Sequence, residues 1–209
     1  AVVSHAVTRE WAQAAASRTL AEVLETGRLL PVPFGLDASG ERPVLFWLLD
    51  GMTAPGAVRR FAWVPKTTEP GVASDLKVTA DASSIAIANS FYRLSQPVRG
   101  GGGFPRDITF VHSGHADPQL FFLDRVVRVQ GEGGRLAQFC AKDCEDAETR
   151  VVFESPLRVT IETRTGFGKR AADTPGNPRV TYRYTYTAFS PAVEVTARYT
   201  REDSDPWRE

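Results

Sequence analysis

Two histidines lie close together in the segment VHSGHADP, where His112 and His115 are followed by Asp117. Imidazole titrates near neutral pH, so two histidines and a carboxylate can bind a metal ion or act as an acid and a base. Residues three apart on a strand point to opposite faces, but a turn between the histidines would bring both side chains together. The alternative is a polar hairpin tip. We take His112 and His115 as candidate catalytic residues and Asp117 as a candidate substrate ligand.

A charged pair, Asp124 and Arg125, follows the apolar run LFFL. A guanidinium group can hold a substrate carboxylate through two parallel hydrogen bonds, and an Arg–Asp pair can orient a sugar hydroxyl. The same pair can instead tie two strands together as a structural ion pair. Arg125 is therefore a candidate catalytic residue and Asp124 a candidate substrate ligand, with the structural pair as the alternative.

Three tyrosines, Tyr182, Tyr184 and Tyr186, would share one face of a single strand, with Arg183 on the opposite face. Exposed tyrosine rings can stack on sugar rings, whereas buried ones form core. The apolar residues that flank the tyrosines favour the core, and the face of Arg183 would then be the functional one. Tyr182, Arg183 and Tyr184 are candidate substrate ligands.

The glycine run 100–103 has the composition of a phosphate-binding loop but not its context. A phosphate loop needs a following helix and usually a Lys-Ser/Thr pair, whereas here Arg106 and Asp107 lead into a strand. The run is better interpreted as a hairpin loop.

The two cysteines, Cys140 and Cys144, can form a small disulfide loop, remain free thiols or supply half of a metal site. A disulfide would indicate an oxidising compartment. We expect no cofactor, although calcium could bind at acidic loops; the spacing of an EF-hand is absent.

The elements that position these residues follow from hydrophobic spacing. Thr8 as a cap, apolar residues at helical spacing up to Leu24 and Gly27 as a stop predict an N-terminal helix. Short apolar runs at 29–36, 43–49 and 58–64 predict strands.

Beyond residue 75 apolar and polar residues alternate in several segments, among them those with Ile85, Ile108, Val159, Tyr182 and Val195. This alternation is typical of antiparallel strands with one face exposed to solvent. No helical crossovers separate the strands, so a parallel α/β sheet is excluded. We predict a mainly β protein, with a short helix and a small β-unit at 1–66. An antiparallel, supersandwich-like β-sandwich, either complete or truncated, follows at 67–209. The boundary lies in the Thr-, Pro- and Gly-rich segment 66–74.

The composition of the 209-residue chain excludes several classes of protein. It has 25 basic and 25 acidic side chains, and this zero net charge argues against nucleic acid as a partner. No apolar run approaches the roughly 18 residues that span a membrane. The chain starts without a charged-then-apolar leader and ends in REDSDPWRE. We therefore expect a removed signal peptide or a fragment of a longer protein.

The stretch IAIANSFYRLSQPVRGGGGFPRDITFVHSGH resembles the opening of a galactose-mutarotase-like β-sandwich. ESPLRVTIETRTGFG, NPRVTYRYTYTAFSPAVEVTARY and the terminal DPWRE extend the similarity. Over residues 75–209 the chain resembles the β-domains of exo-acting rhamnogalacturonan lyase-like (YetA-like) polysaccharide-degrading enzymes.

The resemblance implies the β-sandwich portion of a secreted or periplasmic carbohydrate-active enzyme, a polysaccharide lyase or glycoside hydrolase. Its partners would be a polysaccharide or oligosaccharide and further domains of the same polypeptide. In a lyase, His112 or His115 would act as the base and Arg125 would neutralise a uronate carboxylate. The alternatives are a non-catalytic carbohydrate-binding module and a structural or assembly β-sandwich.

Overall fold

The computed structural model describes residues 2–39, 41–66, 74–119, 124–130, 135–174 and 176–202. Antiparallel strands dominate this part of the chain, and the prediction of a mainly β, sandwich-like protein is confirmed. The predicted boundary segment 66–74 falls mostly on residues 67–73, which lie outside the described residues.

The N-terminal residues form a small unit of two three-stranded sheets and one short helix. Its elements are β1 (Val2–Ala6), α1 (Arg9–Ala14), β2 (Arg18–Val23), β3 (Leu29–Pro31), β4 (Phe34–Asp37), β5 (Val44–Leu48) and β6 (Arg60–Pro65). The strand orders are β1-β5-β4 and β3-β2-β6. Contacts between aromatic rings join the two sheets. The ring centroids of Phe34 and Trp63 lie 5.1 Å apart, and those of Trp47 and Phe61 lie 5.3 Å apart. Such tilted and edge-on contacts are the preferred geometries of aromatic pairs.

The N-terminal helix is shorter than predicted. Thr8 is the cap, as expected, because its hydroxyl accepts the backbone N–H three residues on, at 3.2 Å. The helix ends at Ala14, however, and the second half of the predicted helix is strand β2, where Leu20 pairs with Trp63. Pairing with β6 and burial of Leu20 outweigh the weak helical preference of the segment. Gly27 has a φ of 77° in the β2–β3 turn and does not stop a helix.

The second part of the chain forms two antiparallel sheets and a two-stranded ribbon. The first sheet contains β7 (Lys77–Ala80), β8 (Ser84–Ala88), β9 (Tyr92–Pro97), β10 (Arg106–Phe110) and β11 (Ala116–Gln119). The ribbon contains β12 (Arg125–Gln130) and β13 (Arg135–Cys140), and the second sheet β14 (Glu148–Ser155), β15 (Arg158–Gly166), β16 (Arg179–Thr187) and β17 (Val193–Thr200). The orders are β11-β10-β9-β8-β7 and β14-β15-β16-β17.

The inner faces of these two sheets share one hydrophobic core. Buried residues of both sheets contribute to it: Ile85, Ile87, Tyr92, Leu94, Ile108, Val159, Ile161, Val180, Tyr182, Tyr184 and Tyr186. Buried Gln96 crosses this core, because its side chain accepts the Tyr186 hydroxyl and donates to the carbonyl of Gly103, both at 3.1 Å. Because successive side chains of a strand point to opposite faces, the residues of β15 and β16 that alternate with these core residues lie on the outer face of the sheet.

A second, smaller cluster joins the N-terminal unit to the sandwich. Phe46 on β5 packs with buried Leu157 and Ala188, and its ring meets Phe153 edge-on at 5.7 Å. The side chain of Phe46 is almost completely buried because it packs on the sandwich, whereas the adjacent Trp47 packs on Phe61 within the N-terminal unit.

Candidate functional site

The two candidate histidines lie at an exposed hairpin tip between β10 and β11, and Asp117 follows on β11. The His112 ring lies 5.6 Å from Phe91, whereas His115 stacks on Phe110 at 6.3 Å. Each imidazole therefore contacts a different phenylalanine. Within the described residues no hydrogen bond or ion pair joins the histidines to each other or to a carboxylate. This arrangement resembles a polar hairpin tip more than a preassembled acid–base pair.

Asp124 and Arg125 form no ion pair with each other. The Asp124 carboxylate accepts hydrogen bonds from the hydroxyls of Tyr182 and, at 2.7 Å, Tyr199. Arg125 is exposed and donates to Gln138 of the neighbouring strand at 3.0 Å. Asp124 thus fastens the ribbon to the sandwich, and burial together with this hydrogen bond raises the pKa of Tyr182 above its ordinary value. Hydrogen bonds from two tyrosine hydroxyls of β16 and β17 to the Asp124 carboxylate make this connection. The alternative of a structural ion pair between Asp124 and Arg125 is not formed.

Tyr182 and Tyr184 lie in the core, with 3% and 0% of their surface exposed. Neither ring can stack on a polysaccharide at the protein surface, so the core alternative applies to both. Burial raises the pKa of both hydroxyls above the ordinary tyrosine value, which keeps them protonated. Arg183, which alternates with them, lies exposed on the outer face.

The glycine run forms the loop of the β9–β10 hairpin, as predicted, and no phosphate-binding helix follows it. All four glycines have positive φ, a conformation that other residues adopt only with strain. At Gly103 a Cβ atom would lie 2.3 Å from the side chain of Thr163, so the loop packs directly on β15.

Both cysteines are free thiols in the structure, and the disulfide alternative is not formed. Cys144 is completely buried, and its sulfur accepts the backbone N–H of Gly166 at 3.4 Å. Within the described residues no group of three or more histidine, cysteine or acidic side chains could hold a metal ion. The calcium site remains an expectation from the acidic loops.

A different set of charged side chains converges on the outer face of the β14–β17 sheet. Glu162 lies on β15, directly between Arg150 of β14 and Arg183 of β16 in the strand register. Arg164 is two residues farther along β15 and therefore on the same face. We call these four residues the Glu162 cluster.

The three arginines all bind the one carboxylate. Arg150 and Arg164 approach its Oε1 atom at 3.0 and 3.1 Å, and Arg183 approaches Oε2 at 3.0 Å. Only 3% of the Glu162 side chain is exposed, against 59–66% for the arginine side chains. The carboxylate is thus enclosed, while the guanidinium groups remain open to solvent.

The electrostatics of the cluster keep Glu162 ionised. Burial acts to raise the pKa of Glu162, but hydrogen bonds from Arg150 and Arg183 and the charge of Arg164 outweigh it. The pKa therefore lies below its ordinary value. Three guanidinium charges and one carboxylate charge leave a formal surplus of two positive charges.

Three of the four residues of the cluster, Arg150, Glu162 and Arg164, line an open depression of about 250 Å³. Its lining comprises Val98, Arg99, Glu148, Thr149, Arg150, Glu162 and Arg164. Arg99 and Glu148 lie 3.8 Å apart and cancel in charge, so the surplus at the depression stays positive. Each guanidinium has five N–H donors and uses only some of them on Glu162. The arrangement can therefore bind an anion by charge-assisted hydrogen bonds.

Sequence reasoning identified Arg183 but missed Arg150, Glu162 and Arg164. A signal was present, because the alternation of TIETRT places Glu162 and Arg164 on the polar face of one strand. The partners on β14 and β16 are 12 and 21 residues away from Glu162, so only the strand register brings them together.

Within the described residues no helix is long and apolar enough to cross a membrane. Comparisons with protein-family models, with curated proteins and with solved structures yield no match for this chain.

Proposed function

We propose that this chain is a carbohydrate-binding β-sandwich of a secreted or periplasmic polysaccharide-active protein, and that it binds an acidic polysaccharide at the Glu162 cluster. One observation carries the proposal: three largely exposed arginines surround a single buried carboxylate, which leaves two positive charges uncompensated. Arginine is well suited to this role because its planar fork matches a carboxylate with two parallel hydrogen bonds.

The shape of the surface supports a polymer as the ligand. The depression is open and smaller than the roughly 300–1,000 Å³ of pockets that enclose a drug-sized ligand. It would therefore hold about one sugar unit while the polymer continues along the sheet. Thr181 shares this outer face with Arg183 and is only partly buried, so its hydroxyl can bond to a sugar hydroxyl.

Calorimetry with an oligogalacturonate and with the same oligosaccharide after reduction of its carboxyl groups tests the proposal. We expect binding of the acidic ligand only, weakened by added salt because the arginines are exposed. Arg150→Ala should weaken binding about tenfold, since Arg150 lines the depression and a hydrogen bond to a charged group contributes about 1.5–3 kcal/mol. Arg125→Ala is the matched control, because Arg125 is also exposed but does not border the depression.

Equal binding of the acidic and reduced ligands would refute an anion site. Unchanged binding by Arg150→Ala, with a loss in Arg125→Ala, would instead favour the site around Arg125.

The lyase hypothesis, with His112 or His115 as the base and Arg125 as the neutraliser, has a separate test. If the histidines are catalytic, a double His112→Ala/His115→Ala variant of the full-length protein loses turnover and keeps its affinity for the polysaccharide. Unchanged turnover in that variant rules the histidines out.

A further inference from the structure

Strand β17 ends the four-stranded sheet with a long free edge. It spans eight residues, Val193–Thr200, and within the described residues it pairs only with β16. The pairing runs without a register shift from residue 193 to residue 200. The other side of β17 therefore presents a regular row of backbone N–H and C=O groups.

In the part of the chain that the structure describes, the other three edge strands of the two sheets carry features that hinder pairing. The opposite edge strand, β14, has a register shift between Val151 and Phe153. Strands β7 and β11 have only four residues each, and they contain Lys77 and Pro118, respectively. Short strands, bulges, lysine and proline are the usual protection of an exposed edge. The sequence of β17, VEVTARYT, contains no glycine, proline or lysine.

We propose that β17 pairs antiparallel with β17 of a second copy of this chain. A two-fold axis perpendicular to the sheet at Thr196 places Glu194 of each copy opposite Arg198 of the other. Opposite charges that face each other across an antiparallel pair stabilise it. Shifting the axis by one residue in either direction removes both charge pairs, because Glu194 then lies opposite Thr196 or Thr200.

The same register pairs the residues of the inner face. Val193 lies opposite Tyr199, and Val195 opposite Ala197, so apolar side chains meet on one face and charged ones on the other. Ala197 and Tyr199 are exposed although their face of the sheet is the core face, and 55% of Tyr199 is accessible. A second copy would cover this surface. The product is a continuous eight-stranded sheet.

Charge reversal tests the proposed pairing by sedimentation of the 209-residue chain. The wild type should dimerise. The single variants Glu194→Arg and Arg198→Glu should each weaken the dimer at least about tenfold, because like charges then face each other twice. The double variant E194R/R198E restores both pairs and should recover the dimer. Circular dichroism and thermal unfolding verify that each variant is folded.

Cysteine cross-linking tests the axis itself. Thr196→Cys would place two thiols opposite each other, within the Cα separation of about 4.4–6.8 Å that a disulfide needs. Thr200→Cys is the matched control, because its copies would lie eight residues apart along the strands, about 27 Å. We expect a covalent dimer from Thr196→Cys under mild oxidation and none from Thr200→Cys or from the wild type.

A chain that stays monomeric at every accessible concentration overturns the proposal. A double variant E194R/R198E that dimerises no more tightly than Glu194→Arg or Arg198→Glu overturns it as well. Dimers that cross-link equally at both cysteine positions also overturn it, because they would form through another surface.

Discussion

Two almost buried glutamates of this protein form ion pairs with different numbers of arginine side chains. Glu22, in the N-terminal unit, meets a single arginine: Arg59 approaches its two oxygens with two nitrogens at 2.6 and 2.5 Å. Glu162, on the outer face of the sandwich, meets three. The Arg59 side chain is only 20% exposed, whereas the arginines around Glu162 are 59–66% exposed.

The difference separates a structural pair from a candidate binding site. At Glu22 one positive and one negative charge cancel, and both side chains are largely removed from water. Arg59 also donates to the backbone carbonyl of Asp50 at 2.7 Å, so its fork is committed to the protein. At Glu162 the carboxylate holds the three guanidinium groups in place, but their charge and donors exceed what it can use. A carboxylate can thus either neutralise an arginine or position several for an external anion.

The largest expected effect comes from Glu22→Gln, which leaves the guanidinium of Arg59 enclosed without its counterion. Breaking a buried ion pair costs about 3–5 kcal/mol, and partial exposure of Arg59 reduces this to about 2–3 kcal/mol. Urea unfolding followed by tryptophan fluorescence measures the loss, because Trp11, Trp47 and Trp63 all lie in the N-terminal unit. Exposed Glu25→Gln is the control and should leave the midpoint unchanged. Equal effects of the two variants would show that the pair does not stabilise this unit.

Glu162→Gln should cost less stability, about 1–2 kcal/mol, because the exposed arginines can turn toward water. The same change should strengthen binding of an acidic oligosaccharide at low salt, since the positive surplus rises from two charges to three. Urea unfolding followed by circular dichroism and calorimetry measure the two effects. Weaker binding by a folded Glu162→Gln protein would mean that the positions of the guanidinium groups matter more than their total charge.

Acid should weaken both glutamate sites in the same direction. Hydrogen bonds from Arg59 hold the pKa of Glu22 below its ordinary value, and the pKa of Glu162 is lowered as well. The unfolded chain therefore takes up protons first, near the ordinary glutamate pKa of about 4.3. The stabilisation is complete above that pH and is lost as the pH falls through the lowered pKa values. The free energy of unfolding should consequently fall less steeply below about pH 5 in the double variant Glu22→Gln/Glu162→Gln than in the wild type. Parallel profiles of the two proteins would contradict this expectation.

The smallest effect on ligand affinity is expected from Arg164→Lys, which keeps the positive charge but loses the planar guanidinium group. Arg164 binds the carboxylate through Nε and Nη2, both at 3.1 Å from the same oxygen. We expect a change in affinity for the acidic ligand of less than about threefold, against about tenfold for Arg164→Gln, which removes the charge. Calorimetry of both variants measures the ratio. Equal losses would assign the binding to the shape of the guanidinium group and not to the charge surplus.

The strands of the sandwich could be predicted from the chain because burial on one face of a strand leaves a period of two in the sequence. The predicted segments with Ile161 and Tyr184 lie on β15 and β16, and the outward position of Arg183 followed from the same alternation. The helix predicted from the sequence extends beyond the observed α1, because the residues from Leu20 onward fit a helical spacing as well as they fit a short strand. Pairing with β6, which is distant in sequence, decides between the two.

The amino-acid sequence by itself determined which side chains of each strand face inward or outward, because that depends only on neighbouring residues along one strand. It also determined that Tyr182 and Tyr184 would share a face opposite Arg183. The tertiary structure alone decided which outward charges meet, because the register between strands sets the partners of Glu162 and no local pattern encodes it. It likewise placed the Asp124 carboxylate beside the hydroxyls of Tyr182 and Tyr199 and not beside the adjacent arginine. Charge and alternation are local properties, whereas a binding surface depends on contacts between segments far apart in the chain.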